Sequence, residues 1–440
     1  MPRIVKTLAA AALFAALGAA QSSAEVTVLG WPGGPEETAL RAVADTYNKT
    51  AADADKVNLI FFNRDGFFDK LAADLGAGSK EFDINLLATY ALGRYAPFMD
   101  PIELPAAASE TFSEKVLATM QYDGKQYGVP TDLSLHFMYY RQDLIDQLLS
   151  DDAWKAKYTE IAKEKMGKDL APKNPDEWTW DDFEATAYFF TKSINADSPT
   201  RYGAVLQMKN LLFNIMVWHS TARSSGGNWM DAEGKVTVDG PGFRTALELY
   251  KRLYDAGVTP KDSTTYEYAE ANAAFGSGQA ATMLQWNAAF GDLDDPAKTP
   301  AVAGKIGTVA PPAGSDGRFT HIHGLGLGIN AASEHKDGAK KFLDWLATPA
   351  AMEEYALAGG SPALSATIIE KVSGKRPDLV KLGNFAGSYG FVMNGGTAAK
   401  ALSVYELQAK EFTAYWTGEK SLDDALAATA KGMEDLLKQQ

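Results

Sequence analysis

Cysteine is absent from this 440-residue chain. That excludes a disulfide framework, a thiol nucleophile, a thiolate metal site and a lipid-bearing cysteine behind a leader peptide. Histidine is scarce, at five residues, and an imidazole-rich metal centre has little to draw on. Beyond the amino terminus no run is long and apolar enough to cross a bilayer, which takes about 20 residues. Basic charge is in deficit, with 42 Lys and Arg against 56 Asp and Glu for a net charge of −14. That balance argues against nucleic acid, whose affinity comes mainly from neutralised phosphates, and against anionic membranes; acidity of this kind serves solubility. Catalytic signatures are missing too. There is no G-x-S-x-G elbow, no H-E-x-x-H and no P-loop, and no acid/nucleophile pair of a glycoside hydrolase stands out among the carboxylates.

At the amino terminus Arg3 and Lys6 precede an apolar run from Thr7 to Ala20, followed by Ser22-Ser23-Ala24. This is the layout of a secretory signal peptide, 1–24, cut after Ala24. The mature chain is expected to diffuse freely in a bacterial periplasm, with length enough for two or three domains with cores of their own. Nine Trp and eighteen Tyr exceed what helix packing alone requires. Flat faces with polar edges suit sugar rings, although core packing accounts for most of these side chains.

Strands and helices alternate along the first ninety residues. Val26–Leu29 reads as a strand, and Pro35-Glu36-Glu37 opens a helix carrying Leu40, Val43 and Tyr47, proline and acids being first-turn signals. Val57–Phe62 is a second strand, a helix with Phe67, Phe68 and Leu71 follows, and Phe82–Leu87 is a third strand. This spacing predicts βαβ units and a mainly parallel sheet. Ligands bind such sheets beyond the carboxyl ends of the strands, which puts Trp31, Arg64, Asp65, Thr89 and Tyr90 on the working rim. Residues 150–176 are charged and read as a surface insertion, and Thr179 has capping-box spacing to Asp182. Near the centre of the chain Gly278–Leu284 looks like a buried strand, yet it runs into Gln285-Trp286-Asn287. Two amides flanking a large aromatic are costly in a dry core unless each finds partners.

Several segments together resemble the extracellular solute-binding proteins, family 1, of carbohydrate ABC importers, the maltose-binding-protein-like group. They are DGKQYGVPTDLSLHFMYYRQDL (123–144), WTWDDFEATA (178–187), SSGGNWMDAEGKVTVDGPGFRTALELYKRL (224–253), GSGQAATMLQW (276–286), GLGINAASEHKDGAKKFLDWLATPAAMEEYALAGGSP (326–362) and TGEKSLDDALAATAKGMEDLL (417–437). The resemblance implies an α/β, two-lobed periplasmic binding protein fold of type II, with a hinge between lobes and a ligand cleft at the crossing. Lobe 1 would comprise 25–133 and 305–347, and lobe 2 134–304 and 348–440. It implies a monomer that captures a carbohydrate, closes by hinge bending and docks on an inner-membrane ABC permease, with neither cofactor nor catalysis.

The same resemblance implies a site. Trp286 would stack under a sugar ring, with Gln285 and Asn287 taking hydroxyls. Trp31, Asp65, Tyr90 and Asp132 occupy loop positions that correspond to ligand contacts in relatives, and carboxylates accept hydroxyl hydrogen bonds strongly. Trp218 and Tyr405 stand at spacings matching aromatic cleft positions, with helix packing as the plain alternative for both. Tyr139-Tyr140-Arg141 corresponds to the hinge strand. His321-Ile322-His323 could aim two imidazoles the same way from a strand, but no acidic ligand lies nearby in sequence, so His323 reads as a cleft hydrogen-bond donor and not as a metal ligand. The alternating Gly324, Gly326 and Gly328 lack dinucleotide spacing and read as close backbone packing. After Gly359-Gly360 the chain places Ser361 and further hydroxyls where many relatives carry an arginine, which favours neutral sugars, glycosides or polyols; an acidic or sulfonated sugar is the alternative, with Arg64 or Arg223 to supply charge.

Overall fold

The computed structural model describes residues 26–63 and 66–438. The leader segment, Arg64 and Asp65 lie outside the described residues. Two sheets organise the chain. The first contains β1 (Val26–Gly30), β2 (Val57–Phe61), β3 (Ile84–Ala88) and β4 (Met99–Asp100). A small ribbon of β5 (Gln121–Tyr122) and β6 (Lys125–Gln126) leads into β7 (Val129–Ser134), which rejoins the first sheet. After Leu135 the chain enters β8 (His136–Arg141) of the second sheet, which also holds β9 (Tyr202–Val205), β10 (Ala280–Trp286) and β11 (Ile306–Val309). It returns through β12 (Thr320–His321) to β13 (His323–Asn330), a central strand of the first sheet, and β14 (Gly390–Phe391) pairs with β12.

The βαβ pattern appears where the spacing placed it: β1 pairs in parallel with both β2 and β3, and helix Pro35–Asn48 buries Leu40, Val43 and Tyr47. Neither sheet is parallel throughout. β13 inserts antiparallel between β3 and β7, and β8 runs antiparallel to both β10 and β11. A Cβ on Gly326 would lie 2.7 Å from the Val129 carbonyl oxygen, and one on Gly328 2.3 Å from that of Tyr127. The alternating glycines are therefore what lets β7 approach β13.

β11 pairs with β8 in the second sheet, and the chain re-enters the first sheet at β13. Helix Pro349–Leu357 packs on helix Pro35–Asn48 beside the first sheet. Thr46 donates to Glu354, and the Tyr355 hydroxyl donates to Asp132 of β7. The charged segment 150–176 is less of an insertion than its composition suggests. Asp151 caps helix Asp152–Met166, whose inner face buries Tyr158, Ile161 and Ala162 while the Tyr158 hydroxyl donates to the Asp182 carbonyl. The capping box between Thr179 and Asp182 forms as its spacing predicts.

Candidate functional site

A cavity lies at the ends of β7 and β10 and the start of β13, where the chain passes between the sheets. Aromatic rings dominate its lining: Trp31, Tyr90, Phe213, Tyr268 and Trp286. Glu36, Glu267, Ser134 and His323 supply the polar groups, and none of the described lining residues is Lys or Arg.

Each ring is placed by a local device. Gly33 and Gly34 have φ of +82° and +85°, a left-handed turn that glycine adopts without strain. The turn folds the end of β1 into helix Pro35–Asn48, so that Trp31 packs edge-on against Phe67 at 5.5 Å and Glu36 borders the cavity from the first helical turn. Tyr90 follows β3 and meets His323 edge-on at 5.5 Å. Trp286 closes β10, opposite His136 in register, with its ring 4.4 Å from that imidazole and 5.3 Å from His323.

Thus Trp31, Tyr90, Trp286 and His323 come together from distant parts of the sequence. The other expected contacts stand elsewhere. Gln285 is 0 % exposed and on the opposite face of β10. Its amide donates to Asn272 Oδ1 at 2.9 Å, and its carbonyl accepts from Gln207 at 3.0 Å and from the Trp286 N–H. Asn287, 2 % exposed, accepts from the Leu135 N–H at 2.7 Å while its own N–H donates to the Leu135 carbonyl at 2.9 Å. Both ends of the Gln285 amide and the Asn287 amide oxygen thus find their partners within the protein, and Asn287 clamps the point where the chain leaves one sheet for the other. Trp218 is buried among Phe243, Phe412 and Trp416 and donates to the Ala246 carbonyl. Tyr405 sits behind the lining, with its hydroxyl 3.3 Å from His321 Nε2. Asp132 borders an adjoining pocket shared with Trp31 and Glu36. Its carboxylate accepts from the Tyr355 hydroxyl at 2.5 Å and the Ser361 N–H at 2.7 Å. Burial pushes that carboxyl up, against the pull of those bonds.

Sequence reasoning missed Glu36, Phe213, Glu267, Tyr268 and His136. Glu36 reads as a helix-start signal, Phe213 lies in an apolar helical run, and Glu267 caps helix Tyr268–Gly276. No local pattern marks them, because the cavity is assembled from both sheets. His136 joins His219, His321 and His323 in one buried cluster, with His321 and His323 rings 4.1 Å apart and His219 5.2 Å from His321. The strand expected to carry both imidazoles of His321-Ile322-His323 is interrupted at Ile322. Burial holds His136, His321 and His323 well below the usual imidazole range, helped by neighbouring imidazoles, and burial lowers His219 to about 3. The four are neutral. His323 Nε2 is buried and has no hydrogen-bond partner in the protein.

Comparison with known proteins bears on this geometry. A family described as bacterial extracellular solute-binding protein matches residues 32–353. The "Probable amino-acid ABC transporter periplasmic-binding protein" of Sinorhizobium fredii is 26 % identical over 379 residues, covering 83 % of this chain and 77 % of that one. Among solved structures, maltose-bound MalE3 of T. maritima superposes with a TM-score of 0.76 at 23 % identity, covering 94 % of this chain and 99 % of that one. A solute-binding protein of Agrobacterium radiobacter in complex with ribitol gives 0.75 at 18 %, covering 94 % and 98 %.

Proposed function

Because this chain belongs to the bacterial extracellular solute-binding proteins, whose fold it shares, we infer that it captures a sugar, glycoside or polyol in the aromatic-lined cavity. It closes over the solute by hinge bending and delivers it, as a monomer, to an inner-membrane ABC permease. A periplasmic or extracellular location goes with the family, and solute-binding proteins are not enzymes.

The observation that carries the reading is the convergence of five aromatic rings with His323 and two carboxylates on one cavity at the crossing between sheets. Rings offer faces for C–H groups, and the polar groups take hydroxyls. Binding of maltose and of ribitol by the two structural neighbours is in keeping with it. An amino acid fits less well, because its carboxylate would meet no Lys or Arg among the described lining residues. In this reading one lobe is built on the six-stranded sheet with helix Pro349–Leu357, the other on the four-stranded sheet, and Leu135 lies on the hinge.

Thermal-shift screening of the mature protein against sugars, glycosides and polyols, followed by calorimetry, tests the function. A binding solute raises the melting temperature by mass action, and prolonged incubation leaves it chemically unchanged. Product formation from an oligosaccharide, or a panel without a single hit, overturns the reading.

A further inference from the structure

We propose that the solute carries a protonated amine beside its hydroxyls, as an amino sugar or an aminated polyol does. This rests on capture of a hydroxylated solute in the same cavity and names its charge.

The cavity receives one carboxylate from each side of the crossing. Glu36 comes from the first turn of helix Pro35–Asn48 beside the first sheet, and Glu267 from the N-cap of helix Tyr268–Gly276 beside the second. Among the described lining residues there is no Lys or Arg, and His323 is held neutral by burial. The fixed charge of the described lining is therefore negative, and Asp132 borders the adjoining pocket that Glu36 also lines. The faces of Trp31, Tyr90 and Trp286 are negative by their quadrupoles, which attracts a cation over the ring. A neutral imidazole can accept an N–H, and His323 Nε2 has no protein partner in a buried setting, where a missing bond is costly. Carboxylates and ring faces favour an ammonium group, and a neutral imidazole with its proton on Nδ1 accepts from it. A neutral polyol uses the same oxygens only as hydroxyl acceptors, and an acidic solute meets like charge.

The test uses matched triples with the full mature protein: D-glucose, D-glucosamine and D-glucuronate, then D-sorbitol, 1-amino-1-deoxy-D-sorbitol and D-gluconate. In at least one triple the aminated member binds by calorimetry roughly tenfold more tightly than its neutral counterpart, a step worth one decade in the binding constant, and the carboxylated member does not bind. Glu36→Gln and, separately, Glu267→Gln bring that ratio toward one; melting temperatures of both variants report folding, and glutamine at 267 keeps a capping oxygen. Neutral members binding as tightly as aminated ones overturn the inference and leave the sugar-binding reading standing. So does an amine preference that persists in both variants. No binding by any member overturns both.

Discussion

Trp286 shows how much one side chain can decide. Its ring ends a strand, bordering the cavity and packing against His136 and His323. Trp286→Ala is expected to weaken the best solute by roughly 1–3 kcal/mol, the range for losing an aromatic anchor. Calorimetry on the variant checks this, with the melting temperature of the solute-free protein nearly unmoved; unchanged affinity would remove Trp286 from the site. The neighbouring amides show where sequence reading stops. That they needed partners was legible in Gln285-Trp286-Asn287, but the partners Gln207, Asn272 and Leu135 are 78, 13 and 152 residues away. Strand alternation then turns Gln285 away from the face that Trp286 uses.

At the scale of elements, the link between β7 and β8 rests on Asn287 gripping both main-chain groups of Leu135. Asn287→Ala strands a buried N–H, which costs about 1–3 kcal/mol. The urea midpoint should fall by that loss divided by the unchanged slope, and an unmoved midpoint would mean that water takes over the Leu135 donor. The early βαβ units and the Thr179 cap were legible because their signals are local. The antiparallel insertion of β13 and the docking of helix Pro349–Leu357 on the first sheet were not. Both depend on long-range contacts, such as Tyr355 to Asp132 across 223 residues, which carry no periodic signature.

Across the whole molecule, four of the five histidines share one buried, uncharged cluster. Their folded-state affinity for protons is depressed by burial, so below about pH 6.5 the unfolded chain binds more protons than the folded one. The stability these groups contribute is complete above that pH and declines below it, by up to about 1.4 kcal/mol per pH unit for each histidine. Asp132 and Glu406, whose carboxyls burial raises, slope the other way, two groups against four. Urea midpoints should therefore fall between pH 7.5 and 5.5, and a flat profile would show that the imidazoles become charged without unfolding. The glycines of β13 carry a different implication, for redesign. Gly324, Gly326 and Gly328 admit no side chain without collision, whereas the alternate positions His323 and Leu325 border the cavity and Leu327 the adjoining pocket. The glycines make the strand a fixed spine, and the buried side chains between them at 323, 325 and 327 are where volume-conserving replacements can re-aim solute preference while β7 and β13 stay paired.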